Sequence, residues 1–390
     1  MTTQLQKYKV LVAGIFSLML MLGVARFSYT PMLPIMQAQA GIGDAIGGWL
    51  ATFNYMGYMA GAFIAASISD LVLKDKLYRL GLIVAILTTA GMAVTDNVII
   101  WGIMRFFAGL TSAAGLLIGS GLILNWLIRH NFRSELGIHF AGMGLGIVFC
   151  SSVVALMDLT LNWQELWWLF AGLGVLLAIP AWAWLPRPDT SGTTISGAEM
   201  VDNPPSRRFL FLMLSAYFCA GYGYVISATF IVAIVDRQEA LQGLGPIVFL
   251  IVGLAAAPAC IIWDLIARQL GVLTALLIAY LIQILGIILP ALTDSAAAVI
   301  ISAVLFGGTF IGIVSLVLTM AGRFYPTKPA KLMGKMTLTY GVAQIIAPAI
   351  TGNLAERLGD YNLGLWIAAA MVLLGAIIST VLMLTERDAV

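Results

Sequence analysis

The stretch Gly23-Val24-Ala25-Arg26-Phe27-Ser28-Tyr29-Thr30-Pro31-Met32-Leu33-Pro34 decides how the chain is read. It closes an apolar run that opens near Val10 and is long enough to cross a bilayer, which takes about 20 residues. Arg26 therefore sits at membrane depth, roughly 24 Å from the start of its helix at about 1.5 Å per residue. An ionised side chain there costs at least about 2.5–3.5 kcal/mol, and a guanidinium cannot shed its proton to escape that cost. Two readings follow. Arg26 either snorkels or bonds to backbone carbonyls, or it is a fixed positive charge lining an aqueous cavity.

The rest of the composition agrees with a membrane setting. Of 390 residues, 61% are hydrophobic and only 10% charged, with a mean hydropathy of +1.00. Soluble domains carry about 25% charged residues, so this chain lacks the polar surface to coat a soluble core. Its net charge of +2 is small and dispersed, which argues against nucleic acid as a partner. Cys150, Cys219 and Cys260 fall in apolar runs without a CxxC pattern and read as packing residues. The chain has no HExxH, no credible Ser/His/Asp grouping and no acid cluster, so no catalytic residue, metal or cofactor is expected. Lys7, Lys9 and Ala38-Gln39-Ala40 imitate a secretory signal, but the apolar run is too long and the cleavage-like site too far downstream. The segment is read as a retained helix.

Apolar runs recur along the chain, and the polar stretch near 186–208, with Pro186, Pro188, Pro204 and Pro205, divides them six and six. The expected fold is an all-α integral membrane protein with twelve transmembrane helices in two pseudo-symmetric six-helix bundles. The expected division is 1–185, a linker at 186–208, and 209–390. Loop lysines and arginines such as Lys7, Lys9, Lys74, Arg129, Arg207 and Arg387 fall on one side, whereas Arg237 and Arg357 fall on the other. That bias places both termini and the linker in the cytoplasm.

The halves also repeat. Asp70-Leu-Val-Leu-Lys74 follows the second run, and Asp264-Leu-Ile-Ala-Arg268 follows the eighth. Gly137 and Gly144 are matched at the same spacing by Gly334 and Gly341. Such matches at equivalent places are the mark of parallel repeats in transporters. Across its length the chain resembles the major facilitator superfamily, and its GxARFxYTPxLP run looks like the YbfB/YjiJ branch. Arg105-Phe-Phe-Ala-Gly109 is similar to that superfamily's R-x-x-Q-G pattern, with Ala108 for Gln. The helix 5 antiporter pattern is poorly met: Gly142, Gly144 and Gly146 are present, but no proline. The resemblance implies alternating access between two halves in the cytoplasmic membrane. It also implies a charge latch, with Asp70, Lys74, Asp264 and Arg268 as gate residues.

Arg105 lies roughly 10 Å in from the outer end of its helix, at about the level Arg26 reaches from the opposite direction. Every acid falls in a loop or near a helix end, so no mid-helix carboxylate is at hand for either arginine. Two cations in one low-dielectric cavity repel, and a bound anion relieves that repulsion. Arginine also binds carboxylates through two parallel hydrogen bonds. The alternative for Arg105 is that it ties its helix to helix 1 through backbone carbonyls. Helical spacing groups Arg26 with Tyr29 and Thr30, Asn54 with Tyr58, Tyr217 with Tyr224, and Tyr340 with Gln344. His139 and Glu165 are the candidates for proton coupling. The reading is a monomeric secondary transporter of a small organic anion, with efflux of amphipathic drugs or metabolites without a fixed negative charge as the alternative.

Overall fold

Some helix starts are written into the sequence as a short polar residue before an apolar run, whose side chain caps the first turn. Asp70 accepts from the backbone N–H groups of Val72 and Leu73 at 2.8 and 3.3 Å. Asn97 does the same for Ile99 and Ile100, and Asn162 for Gln164 and Glu165. The computed structural model describes residues 3–133, 136–157, 160–236, 238, 241, 244–358 and 360–385. Arg237 and Arg387, used above for orientation, lie outside them.

Helices account for nearly all of the described chain. α1 (Thr3–Leu18) runs into a π-helical segment, Met19–Phe27, and then α2 (Tyr29–Ala40). α3 (Asp44–Ser67) and α4 (Leu71–Ala93) follow. α5 (Val98–Ala113) continues through a second π-helical segment, Ala114–Gly119, into α6 (Ser120–Arg129). α7 (Gly137–Met157) and α8 (Trp163–Ala183) precede the central polar stretch. Beyond it come α9 (Arg207–Asp236), α10 (Gly245–Leu270), α11 (Val272–Leu292), α12 (Ala296–Arg323), α13 (Ala330–Leu358) and α14 (Asn362–Thr385).

Among the described residues, 9 helical stretches are long and apolar enough to cross a membrane. The chain is therefore a multi-pass all-α membrane protein. α3, α4 and α13 fall outside that set. Charge dilutes two of them: α4 opens with Lys74, Asp75, Lys76 and Arg79, and α13 with Lys331 and Lys335.

The chain forms two compact units, Met1–Asn203 with Ala321–Lys335, and Pro204–Met320 with Met336–Val390. In the first, α1 and the following π segment pack on α7, α3 on α5, and α4 on α8. α3 and α5 cross so closely that a Cβ at Gly109 would lie 1.9 Å from the Asn54 carbonyl oxygen. In the second unit, α14 packs on α9 and α11, and α9 on α10.

This grouping differs from a division at 185 and 208, and named bonds account for the difference. Arg129 donates to the carbonyls of Asp189 and Thr193 at 2.9 and 2.8 Å and to Ser191 Oγ at 2.6 Å. Asp75, held by Arg79, also pairs with Arg187. These contacts bind the first part of the polar stretch to the N-terminal unit. Segment 321–335 joins the same unit. Asn125 Nδ2 donates to the Pro326 carbonyl at 2.8 Å, Asn203 N to Phe324 O at 2.9 Å, and Thr327 Oγ1 to Asp202 at 2.7 Å.

Candidate functional site

Arg26 owes its position to the π segment. Pro31 cannot donate a backbone hydrogen bond, so the regular ladder is interrupted ahead of it. Instead Ser28 N bonds to Gly23 O at 2.9 Å, the wider i−5 spacing, and Ser28 Oγ donates to Val24 O at 2.6 Å. The widened turn lies against α7. A Cβ at Gly23 would sit 2.8 Å from Gly146 Cα, so only glycine permits this approach. Such π-bulges occur frequently at functional sites.

The register change separates residues that a continuous α-helix would place on one face. The Arg26 guanidinium lies over the rings of Tyr58 and Tyr55, at 4.7 and 5.0 Å from their centroids, and 5.6 Å from Phe27. Tyr29 serves the other arginine, its ring 4.3 Å from the Arg105 guanidinium and its hydroxyl donating to Gly47 O at 2.9 Å. Tyr55 is a neighbour that the spacing argument passed over, although it stands three residues before Tyr58 and thus shares a face with it.

Both arginines are buried, at 7% and 3% exposure. Arg105 Nη1 donates to Ala25 O at 3.0 Å, with Nη2 3.5 Å from Arg26 O. Asn54 Nδ2 donates to the Arg105 carbonyl at 3.0 Å, so it fixes α5 to α3 beside the guanidinium. Part of Arg105 thus works as a clamp on the helix that carries Arg26. Its Nε–H is different: it is buried and has no acceptor. The two guanidinium groups are near enough to repel.

The C-terminal unit holds a stack of rings. Tyr217 and Tyr340 have centroids 4.6 Å apart, Tyr224 and Tyr340 5.6 Å, and Tyr224 and Phe310 5.1 Å. Thr337, Tyr340 and Gln344 share one face of α13 by their spacing, and Thr337 Oγ1 and Gln344 Oε1 are buried without hydrogen-bond partners. Thr337 gave no signal in the sequence beyond that spacing.

The remaining candidates fall elsewhere. His139, fully buried, shares a 2.7 Å hydrogen bond with Ser120 Oγ and rests against Gly14. Glu165 accepts from Asn162 N at 2.8 Å and completes a capping box at the start of α8. Asp70 is exposed and caps α4, whereas Lys74 is buried. Asp264, 7% exposed, lies inside α10, one turn before Arg268.

Similarity to known proteins follows the same lines. A 98-residue stretch is 31% identical to an uncharacterised MFS-type transporter, YceJ, of Bacillus subtilis, covering 25% of each chain. A 130-residue stretch is 28% identical to an uncharacterised transporter, mfc1, of Schizosaccharomyces pombe, covering 33% of this chain and 26% of that one. Each match thus spans about a quarter of the relative's length. The fold matches the crystal structure of a point mutant of the nucleoside transporter NupG with a TM-score of 0.66, at 13% identity, over 97% of this chain and 99% of that one. At that identity the likeness speaks for the fold alone. Residues 18–380 match the family described as uncharacterised MFS-type transporter YbfB, and the chain belongs to that family of major facilitator transporters.

Proposed function

We propose that this protein is a secondary transporter that moves a small organic anion, a carboxylate in the first instance, by alternating access. The observation that carries this reading is the buried Nε–H of Arg105, which lacks an acceptor and stands beside a second guanidinium. An anion supplies the acceptor that Arg105 Nε–H lacks. Rings around Arg26 stabilise its charge when the site is empty, at about 0.5–2 kcal/mol per cation–π contact. Tyr29, Asn54 and Tyr58 hold the two arginines. Tyr217, Tyr224, Tyr340 and Gln344 group within the C-terminal unit, and aromatic and amide side chains of this kind suit an amphipathic substrate.

The wider proposal is a monomer with twelve spans, the nine apolar stretches plus α3, α4 and α13, in two six-helix bundles in the inner membrane. Both termini would face the cytoplasm. Asp70, Lys74, Asp264 and Arg268 would take part in gating, and His139 and Glu165 are the residues to examine for proton coupling.

Uptake of labelled mono- and dicarboxylates into proteoliposomes, with ligand-induced thermal stabilisation of the purified protein, tests the substrate class. Carboxylates that neither stabilise the protein nor enter the vesicles would exclude it. Efflux of amphipathic compounds without a fixed negative charge would then be the reading, because the ring stack of the C-terminal unit calls for no anionic partner.

A further inference from the structure

The run Asp70-Leu71-Val72-Leu73-Lys74-Asp75-Lys76 crowds charge into the first turns of α4. Lys74 is 1% exposed, and its Nζ has no hydrogen-bond partner. A buried ammonium without acceptors is costly, and carboxylates are the usual remedy. The carboxylates of its own run, and the one beside Lys328, are committed elsewhere. Asp70 accepts from the first turn of its own helix, Asp75 pairs with Arg79 and Arg187, and Asp202 holds Thr327 and Lys328.

What faces Lys74 is more positive charge. Lys328 and Lys331 act on it electrostatically, both from the segment that packs with the N-terminal unit. That segment is held firmly. Gly334 abuts α3 so closely that a Cβ there would lie 2.7 Å from Ala66 N, and a Cβ at Gly121 would lie 2.9 Å from Ala330 N. α13 begins at Ala330, so its N-terminal end, with its positive partial charge, belongs to the same segment as Lys328 and Lys331. Three ammonium groups, one of them paired with Asp202, and a helix N-terminus gather around one orphaned buried donor. A phosphate group, with three or more acceptor oxygens, answers that arrangement better than a single carboxylate does.

We propose that Lys74, Lys328, Lys331 and the first turn of α13 bind a phosphate group, from an anionic phospholipid headgroup or from free phosphate. The site is separate from Arg26 and Arg105 and stands whether or not the substrate is an organic anion. A bound phosphate would fix segment 324–331 to the start of α4.

The full-length protein, purified in a neutral detergent, is followed by thermal unfolding in two series. Inorganic phosphate is titrated against chloride at equal ionic strength, and phosphatidylglycerol against phosphatidylcholine. The expected result is saturable stabilisation in at least one series. Stabilisation by phosphate assigns a free anion, and stabilisation by phosphatidylglycerol alone assigns the lipid. Lys74→Met and Lys331→Gln should each weaken the effect by roughly tenfold in apparent affinity. Lys331 is only partly buried, so Lys331→Gln decides the matter if Lys74→Met fails to fold. No stabilisation in either series, or variants that respond as the wild type does, would overturn the proposal.

Discussion

Replacing each of the two arginines by lysine separates clamp from ligand contact. Lysine keeps the charge, so the cost of burying a cation stays and only the planar fork is lost. At Arg105 the lost contacts are the 3.0 Å bond to Ala25 O and the stacking on Tyr29 at 4.3 Å. A hydrogen bond from a charged group contributes about 1.5–3 kcal/mol, and a desolvated cation–π contact about 2. An ammonium retains one of these at most, so Arg105→Lys should cost the empty protein about 2–3 kcal/mol. At Arg26 the contacts of known geometry are ring faces at 4.7 and 5.0 Å, which an ammonium also engages. Arg26→Lys should therefore cost the empty protein less than Arg105→Lys does. Carboxylate binding should still fall roughly ten- to a hundredfold, the equivalent of about 1.5–3 kcal/mol, through the lost bidentate contact. The assay is thermal unfolding of each variant with and without ligand, with an uptake measurement beside it. Arg105→Lys as stable as wild type would refute the clamp. Arg26→Lys and Arg26→Gln that both bind a carboxylate at wild-type affinity would refute the anion reading.

Gly109→Ala forces a methyl group to within 1.9 Å of Asn54 O and should destabilise by about 1–3 kcal/mol, whereas Gly172→Ala, with no atom within 4 Å, should leave thermal stability unchanged or raised. Equal melting temperatures for the two would contradict the close α3–α5 crossing. Lys74 precedes the apolar part of α4, which opens at Leu80. Burial, followed by Lys328 and Lys331, lowers its pKa to about 8, below the unfolded value of about 10.4. The unfolded chain therefore holds the extra proton between those values, and wild-type stability relative to Lys74→Met should rise as pH climbs from about 8 to about 10.4, a slope that chemical denaturation at each pH measures. A flat difference across that window would mean Lys74 is not buried as a cation. Arg129→Ala removes the anchor of residues 189–193, so limited proteolysis there should quicken; cleavage at the wild-type rate would show that the stretch is held by something else.

How much of this was legible beforehand depended on how far each feature reaches along the chain. Arg26 and Arg105 stood out because a charge inside a long apolar run needs no knowledge of neighbours. The caps at Asp70, Asn97 and Asn162 are equally local, and Asn162-x-x-Glu165 is a capping-box pattern readable by eye. The π segments were not legible. An i−5 bond at Ser28 competes with the ordinary ladder only because Pro31 disables part of that ladder and Gly146 lets α7 approach. Ser112 Oγ, which donates to Met21 O at 2.7 Å, also supports the segment from a different helix. The burial of Lys74 was hidden for the same reason, since the segment that covers it lies about 250 residues further along.

The repeat shows where a sequence match stops being a structural one. Asp70-x-x-x-Lys74 and Asp264-x-x-x-Arg268 match in sequence, yet the chain breaks on opposite sides of them. α3 ends at Ser67, ahead of the first motif, so Asp70 starts a helix and spends its carboxylate on that helix's own N–H groups. α10 runs through the second motif and breaks only at Gly271, where φ is +86°, a value that glycine adopts without strain. Asp264 is therefore carried inside a helix, buried, with Arg268 one turn on. Neutralising Asp70 removes an exposed cap, worth about 0.5–2 kcal/mol, whereas neutralising Asp264 alters a buried charge. A gate built from these four residues would then be asymmetric. Asp264→Asn should change conformational equilibria more than Asp70→Asn, and labelling of single cysteines placed on either side of the membrane reads that difference directly.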